Sequence, residues 1–182
     1  MDKSCCFTGY RPEKFPFLLK LGSKDFVNLE NKIYDAVFTA VGEGMETFYC
    51  GMAMGFDLLC GKAVADIKKA TPDKNIKLIA VIPFKKQSEN FSATFKKLYD
   101  IVLGEADEVV VISEEYHKNC FAERNEYMVD RSSKVITYFD GQSGGTVNTL
   151  RYAAKKGRKI TNIAEYGMTD IYTEYTAYQL EI

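Results

Sequence analysis

Glycine-rich segments follow apolar runs at two points in the chain, and their layout suits contact with a phosphate group. FDGQSGGTVNTLRYAAKKG places Gly144, Gly145 and Thr146 between an apolar run and an amphipathic run. GMAMGFDLL repeats the layout with Gly51 and Gly55. Glycine lets backbone N–H groups approach an anion without an intervening Cβ, and the N-terminus of a following helix adds unpaired N–H groups. Both loops therefore predict phosphate contacts, and the alternative is a pair of ordinary strand-to-helix turns.

Two arginines can neutralise such a phosphate. Arg11 belongs to the segment FTGYRP, which follows an apolar run and also contains Thr8 and Gly9. Arg124 follows a later apolar run. A guanidinium group can make two parallel hydrogen bonds to a phosphate or a carboxylate. We therefore predict ligand contacts for these residues, with a surface ion pair to a neighbouring glutamate as the alternative for Arg124.

Asp57 carries a carboxylate just past Gly55, where it can accept hydrogen bonds from ribose hydroxyl groups. The alternative is that Asp57 caps the helix that begins there. Asn125 and Asp130 are further candidates of the same kind. The sequence therefore offers polar groups for a sugar as well as for a phosphate.

Known nucleotide and catalytic motifs do not match in detail. The chain has no G-x-G-x-x-G fingerprint, and five residues separate Gly55 from Gly61 where a Walker loop needs four. Lys62 is therefore predicted to lie on a helix surface. His117 is the only histidine, in a polar loop, and we predict that it is solvated. No Cys–His or Ser–His–Asp set can be assembled, and no metal site is indicated.

The composition indicates a globular protein in a reducing compartment. Of 182 residues, 46% are apolar and 27% are charged, as in packed domains. The net charge of −1 gives no general attraction to nucleic acid. No run approaches the ~20 apolar residues of a membrane span, and no signal peptide is evident, so we expect a cytoplasmic location without a membrane partner. An odd cysteine count without a C-x-x-C pair predicts buried free thiols at Cys5, Cys6, Cys50, Cys60 and Cys120.

Short apolar runs alternate with helical periods along most of the chain. This alternation predicts a Rossmann-like, three-layer α/β/α fold with a mainly parallel sheet. We expect one domain over residues 1–182, with a core at about 4–163 and a tyrosine-rich tail at 164–182. The continuous apolar runs at 77–83 and 108–113 indicate strands covered on both faces. The predicted strands are 4–7, 47–50, 77–83, 108–113, 134–139 and 159–163, and the predicted helices are 24–43, 58–70, 95–103, 123–132 and 147–156.

The unusual segments each follow a predicted strand. They are FTGYRP, GMAMGFD, PFKKQ, SEEYHKNCFAERN and DGQSGGT. In parallel α/β folds, ligands bind beyond the carboxyl ends of the strands, near the point where strand order reverses. We therefore expect these five loops to converge at one edge of the sheet.

Several of these segments together resemble the YpsA-like proteins of the SMF/DprA–LOG (SLOG) group. They are FTGYRP, GMAMGFDLL, ERNEYMVDRSSKVITYFDGQSGGT and LRYA, and they occur in this order. The resemblance spans about residues 4–163. It implies a Rossmann-like sheet that binds nucleotides or nucleotide-derived small molecules. It also implies that the ligand is faced by Thr8, Gly9, Arg11, Gly51, Asp57, Arg124, Gly144, Gly145 and Thr146.

Two kinds of protein in this group imply contrasting activities. LOG proteins are phosphoribohydrolases that carry a PGGxGT loop followed shortly by a catalytic glutamate. The loop of this chain is two residues shorter, and Asn148 and Thr149 stand about where the glutamate would fall. Neither can act as a carboxylate base, which argues against LOG-type hydrolysis. DprA proteins bind single-stranded DNA through a related fold, and GMAMGFDLL is similar to their glycine–Asp segment.

Three hypotheses for function follow. The leading one is a nucleotide-binding or nucleotide-sensing module, in which a nucleotide-like ligand is bound and no other cofactor is predicted. The second is an enzyme that cleaves an N-glycosidic or related bond in a nucleotide, with its base among Glu123, Glu126, Asp57 and Asp130. The third is single-stranded DNA binding, although the chain lacks a strong basic excess. Related folds also suggest a homodimer, to which the tail can contribute.

Overall fold

The described part of the chain, residues 3–165, forms a six-stranded sheet with helices on both faces in a computed structural model. The strands are β1 (Ser4–Thr8), β2 (Thr47–Cys50), β3 (Lys77–Phe84), β4 (Glu108–Ser113), β5 (Lys134–Thr137) and β6 (Lys159–Asn162). The helices are α1 (Lys24–Gly42), α2 (Phe56–Ala70), α3 (Ala93–Glu105), α4 (Cys120–Asp130) and α5 (Gly145–Lys155). Short 3-10 turns lie at Pro12–Lys14 and Gln87–Asn90. The predicted tail lies outside the described residues from residue 166 onward.

The strand order explains where a ligand site can form. Every pairing is parallel, and the order is β4-β3-β2-β1-β5-β6. The chain adds β2, β3 and β4 on one side of β1 and then crosses to the other side for β5 and β6. Right-handed crossovers therefore put α1, α2 and α3 on one face and α4 and α5 on the other. The predicted Rossmann-like three-layer fold is confirmed, and the strand order reverses between β1 and β5.

The interior holds the central strands of the sheet and all five cysteines. β1 is buried along its whole length because it lies in the middle of the sheet with helices above and below. The cysteines are free and buried, as predicted. Burial raises the pKa of the Cys6 and Cys50 thiols to about 12, so both stay protonated at neutral pH.

One prediction about the sheet is wrong. The apolar run of β4 indicated a strand covered on both faces, but β4 lies at the edge of the sheet and pairs with β3 alone. Val109 is 48% exposed and Val111 is 39% exposed. An apolar run cannot reveal this, because the position of a strand within a sheet depends on contacts far away in the sequence. The largest shift of a helix start is that of α4, which begins at Cys120 instead of Glu123. No helix within residues 3–165 combines the length and the apolar character needed to cross a membrane.

Candidate functional site

Two adjoining hollows open at the carboxyl ends of the strands. The first, the polar lobe, has a volume of about 150 Å³ and is lined by residues that follow β1, β2, β4 and β5. The second, the aromatic lobe, has a volume of about 190 Å³ and adds residues that follow β3. The lobes share Arg11, Ala53 and Phe121 and form one cleft. All five post-strand loops therefore meet where the strand order predicts.

The structure brings most of the predicted site residues to the polar lobe. From the loop after β1 come Thr8, Gly9 and Arg11. From the other loops come Asp57, Arg124, Asn125, Gly145 and Thr146. The remaining predicted residues, Gly51, Gly55 and Gly144, lie next to the lobe without lining it.

The floor of the polar lobe is a buried ion pair between Arg124 and Asp57. Arg124 Nη1 lies 3.5 Å from Asp57 Oδ2, and the two side chains are 6% and 7% exposed. The same Nη1 donates a hydrogen bond to the carbonyl oxygen of Gly51. Burial raises the pKa of the Asp57 carboxyl, and the Arg124 guanidinium opposes that rise. Both groups thus use much of their bonding capacity within the protein.

This pairing overturns two of the alternatives drawn from the sequence. Asp57 does not cap α2, because the helix begins at Phe56 with Gly55 as its N-cap and no side-chain cap bond. Arg124 does not pair with a glutamate at the surface, because its guanidinium points inward from α4 to the loop after β2. Only the packing of α4 against that loop decides this direction.

A chain of hydrogen bonds extends the floor from α4 to α5. Arg124 Nε donates to Asn125 Oδ1 at 2.8 Å, and Asn125 Nδ2 donates to Thr149 Oγ1 at 2.8 Å. Thr149 in turn donates to the carbonyl oxygen of Gly145 at 2.9 Å. Thr149, near the position where the related hydrolases carry glutamate, therefore fixes the first turn of α5 in place. Asn148 is exposed.

Three of the predicted glycines allow close packing of one loop on another. A Cβ on Gly9 would overlap the ring of Phe56, and a Cβ on Gly51 would overlap the Arg124 guanidinium. Gly55 has a φ of 91°, and a Cβ there would lie 2.5 Å from a carbonyl oxygen of the loop after β1. These positions need glycine whether or not a ligand is bound.

Gly145 in the SGGT loop differs, because it faces open space. A Cβ on Gly145 would meet nothing within 4 Å, and the residue is exposed at the start of α5. The first N–H groups of a helix have no acceptor within that helix. The Thr146 hydroxyl donates to the Gly9 carbonyl oxygen at 3.1 Å and so ties α5 to the loop after β1. The N-terminus of α5 is thus held at the polar lobe with its N–H groups available.

Two cations, Arg11 and Lys14, line this lobe. Within residues 3–165, neither Arg11 nor Lys14 has an acidic oxygen within ion-pair distance. The Arg11 guanidinium carbon lies 5.1 Å from the centroid of the Phe121 ring. Lys14 Nζ donates to the Ser143 carbonyl oxygen at 2.7 Å and lies over Gly144. The sequence analysis missed Lys14, although the proline at residue 12 of RPEK favours a tight turn that brings residues 11 and 14 together.

Tyr10 is a second residue that the sequence analysis missed. It is 2% exposed, and its hydroxyl donates to Asp140 Oδ1 at 2.5 Å. The hydroxyl oxygen accepts the backbone N–H groups of Asp140 and Gln142, each at 3.1 Å. Burial and the Asp140 carboxylate raise the pKa of Tyr10 to about 12. Tyr10 therefore holds the segment before SGGT against the loop after β1.

The aromatic lobe was also missed. Phe84, Phe91 and Phe121 line it, and the rings of Phe84 and Phe121 meet edge to face with centroids 5.9 Å apart. Phe121 precedes Arg124 and Asn125 by three and four residues on α4, so all three share one helix face. That spacing is readable in the sequence and could have linked the lobe to the predicted arginine.

The four carboxylates proposed as catalytic bases do not come together. Glu123 and Glu126 are exposed on α4, and neither lines the cleft. Asp130 pairs with Lys156 at 2.8 Å and also lies outside the cleft. Asp57 alone lines the polar lobe, where Arg124 holds it. In the described part of the chain, no group of three His, Cys, Asp or Glu side chains is placed to bind a metal ion.

Comparison with models of protein families assigns the chain to a family. A family model named YpsA, with the description "YspA SLOG family", matches residues 5–174. The chain belongs to this family. The resemblance noted in the loop segments is therefore confirmed, and the YpsA match covers the whole described cleft.

Two of the relatives of this chain are proteins of Bacillus subtilis. The chain is 33% identical over 154 residues to the uncharacterized SPbeta prophage-derived protein YoqJ of Bacillus subtilis, with 78% of this chain and 85% of YoqJ covered. It is 23% identical over 169 residues to the UPF0398 protein YpsA of Bacillus subtilis, with 92% of each covered. The names of these relatives state no ligand or reaction.

Solved structures of DNA processing protein A (DprA) share the fold. DprA from Streptococcus pneumoniae matches with a TM-score of 0.59 and 19% identity, over 99% of this chain and 56% of DprA. DprA from Helicobacter pylori, described in a study of its single-stranded DNA binding mode, matches with a TM-score of 0.59 and 16% identity, over 98% and 80%. The chain thus spans about 56% of the length of the pneumococcal protein.

Proposed function

We propose that the cleft binds a nucleotide or a nucleotide-derived small molecule, with a phosphate group in the polar lobe. The observation that carries the proposal is the pair of cations, Arg11 and Lys14, beside the N-terminus of α5. Both line the polar lobe, and neither has a carboxylate oxygen within ion-pair distance in residues 3–165. Cations next to unpaired helix N–H groups favour an anion such as phosphate.

The aromatic lobe favours a nucleotide over a simple phosphate ester. Phe121 and Arg11 belong to both lobes, so one ligand can reach from the N-terminus of α5 to the rings of Phe84 and Phe91. Aromatic side chains stack on nucleobases in a way that tolerates every base. A ligand with a phosphate at one end and a flat ring at the other fits this division.

Binding is better supported than hydrolysis. A base for glycosidic cleavage must stand within the cleft, and Asp57 is the candidate that does. Its carboxylate is paired with Arg124 and 7% exposed, which leaves little of it to contact a substrate or a water molecule. We therefore propose a binding or sensing module.

Titration calorimetry tests the proposal with AMP, CMP, NAD, ADP-ribose and ribose 5-phosphate. We expect at least one of these compounds to bind, and Lys14→Ala to weaken binding about tenfold or more, as for a lost charge-assisted hydrogen bond. Lys96→Ala is the matched control, because Lys96 pairs with Asp100 on α3 and lines neither lobe. If none of these compounds binds, or if Lys14→Ala and the wild type bind equally well, the assignment of a phosphate site to the polar lobe is refuted.

Single-stranded DNA is the second candidate ligand. The same cations and rings suit a sugar-phosphate backbone with a stacked base, and the DprA structure from Helicobacter pylori belongs to a DNA-binding protein. DNA would be favoured if a labelled oligonucleotide binds with an affinity that falls steeply as salt increases, and if no mononucleotide binds. Mononucleotide binding with no oligonucleotide shift at low salt would favour the small ligand.

A further inference from the structure

Strand β4 is one edge of the sheet, and its outer side has no partner strand among residues 3–165. The strand pairs with β3 alone. Alternate residues of an edge strand direct their backbone N–H and C=O groups away from the sheet, where they form a row of unpaired donors and acceptors. Such a row can bind a further strand through backbone hydrogen bonds.

The two edges of the sheet differ in how well they resist the addition of a further strand. Short edge strands and lysine or proline side chains discourage such pairing. The opposite edge, β6, has four residues and begins with Lys159. By contrast, β4 has six residues, EVVVIS, and its one charged side chain is Glu108 at the start. The middle of β4 is therefore an apolar edge that is open to pairing.

The exposed valines of β4 lie on the face of the sheet that carries α2. Val109 is in register with Ala80 of β3, which is in register with Cys50 of β2. The Cys50 thiol donates to the carbonyl oxygen of Asp57 on α2 at 3.2 Å, which places this row of side chains on the α2 side. Val111 points the same way, because side chains alternate along a strand. The helices on this face leave both valines exposed, so a strand added to β4 can pack its side chains on them.

We propose that β4 pairs in antiparallel direction with β4 of a second copy of this chain, so that two sheets join into one continuous sheet. The twofold axis stands perpendicular to the sheet and passes beside Val110. Val109 of each copy then lies opposite Val111 of the other copy, and the four valines shield one another from water. Because the axis is perpendicular to the sheet, all four lie on the same face.

The residue pattern of β4 favours a second copy over an unrelated strand. A twofold axis sets exposed valine against exposed valine, so the surface complements itself. Glu108 falls opposite Ile112 of the second copy, and no two charges oppose each other directly. An axis at Val111 would set Glu108 opposite Glu114, and like charges in that position are unfavourable. An axis at Val109 would shorten the paired stretch.

The expected dimer is weak, because a pair of six-residue strands is the centre of a small interface. Interfaces smaller than about 1,200 Å² are typical of transient association. We therefore expect a dissociation constant of about 1–100 µM. No residue of β4 lines either lobe of the cleft, so this inference does not rest on the proposed function.

Sedimentation equilibrium over about 1–1,000 µM protein tests the pairing. The mean mass should rise from that of the monomer, 20.6 kDa, towards twice that value. Val109→Lys adds a charge to the edge, and we expect it to weaken dimerisation about tenfold or more. Phe38→Lys is the matched control, because it adds the same charge at an exposed apolar residue of α1. It should dimerise like the wild type.

A disulfide test reports on the register of the two strands. Opposed Cα atoms in antiparallel strands lie about 4.5–5.5 Å apart, which suits a disulfide. Val110 is the residue that meets its own copy, so Val110→Cys should form a covalent dimer with oxidised glutathione. Val111→Cys is the matched control and should not, because Val111 lies opposite Val109. The native cysteines are buried and should not interfere.

Each result decides for or against the β4 pairing. A protein that stays monomeric up to about 1 mM overturns it and leaves the edge to a strand of another protein. Unchanged dimerisation of Val109→Lys, or a loss in Phe38→Lys, also overturns it. Disulfide formation by Val111→Cys instead of Val110→Cys contradicts the register. Sedimentation of Val109→Lys decides the case even if a cysteine variant fails to fold, because residue 109 is exposed.

Discussion

At the amino ends of β5 and β6, Lys134 and Lys159 both meet the carboxylate of Glu43, at 2.6 and 3.1 Å. At the carboxyl ends of the strands, Arg11 and Lys14 face an open cleft, and no acidic oxygen of the described residues lies within ion-pair distance. Lys134 and Lys159 thus share a carboxylate at one end of the sheet, whereas Arg11 and Lys14 at the other end have none within ion-pair distance in residues 3–165. The first arrangement serves the fold, and the second suits an anion that comes from solution.

The buried ion pairs at the two ends also differ. Near the amino ends, the Lys134 side chain is 3% exposed, but its partner Glu43 is 36% exposed. At the carboxyl ends, both Arg124 and Asp57 are buried. Water can replace a partner lost at the amino ends more readily than at the floor of the cleft. Variants that break these ion pairs should therefore lower the free energy of unfolding more at the carboxyl ends than at the amino ends.

The largest effect is expected from Arg124→Met, which leaves Asp57 buried without its cation. The free energy of unfolding should fall by roughly 3–5 kcal/mol, measured by urea denaturation. The double variant with Asp57→Asn should recover part of the loss, because it removes the uncompensated charge. A loss below about 1 kcal/mol in Arg124→Met would show that the pair does not hold the floor together.

Gly51→Ala should have the next largest effect. The added methyl group would overlap the Arg124 guanidinium, and we expect a loss of about 1–3 kcal/mol in the free energy of unfolding. Gly145→Ala is the matched control in the same cleft, because its Cβ meets nothing within 4 Å. Similar stability of the two variants would contradict the division into packing glycines and open glycines.

Inorganic phosphate should stabilise the protein through the carboxyl ends alone. At ten times its dissociation constant, it should raise the free energy of unfolding by about 1.4 kcal/mol, measured by denaturation at constant ionic strength. Lys14→Ala should lose most of this gain, whereas Glu43→Gln should keep it. An equal gain in all three proteins would place phosphate elsewhere.

The smallest effect is expected from Glu43→Gln, and it should depend on pH. Hydrogen bonds from Lys134 and then Lys159 lower the pKa of Glu43 from the usual value of 4.5. A lowered carboxyl pKa gives stability that is present above the unfolded pKa and is lost as pH falls through the folded pKa. The variant should be less stable than the wild type by under about 1 kcal/mol near pH 7, because water screens the exposed carboxylate.

This difference between Glu43→Gln and the wild type should disappear as the pH falls through the lowered pKa of Glu43, where the carboxyl group becomes protonated. Denaturant unfolding at a series of pH values measures it. A difference in the free energy of unfolding that stays constant with pH would mean that the charge of Glu43 does not contribute to it.

Local patterns were enough to predict every strand and every α-helix of the described chain, but not the two short 3-10 turns. The reason is that the spacing of apolar residues along the chain reflects which side chains are buried, and this spacing differs between helices and strands. The pattern also predicted that the loops after the first five strands meet, because parallel strands point their carboxyl ends the same way. It could not place β4 at the edge of the sheet, where Val109 and Val111 are exposed.

Side-chain roles were harder to predict than positions. Arg124 and Asp57 were predicted to contact a ligand, and both line the polar lobe. The sequence did not indicate that they also pair with each other, which they do because α4 crosses the loop after β2 at close range. Gly51 was predicted to contact phosphate, and its lack of a side chain also makes room for Arg124. Lys14 and Phe121 were overlooked, although their spacing from Arg11 and Arg124 was visible.

The sequence alone determined the order of elements, the parallel sheet and the set of loops at its carboxyl ends, since these depend on residues near one another in the chain. Tertiary structure decided which charges those loops neutralise. Arg124 pairs with Asp57, while neither Arg11 nor Lys14 has a carboxylate within ion-pair distance among the described residues. Such pairing depends on distances between residues that are far apart in the sequence. The packing of helices against loops sets these distances, and no local sequence pattern encodes them.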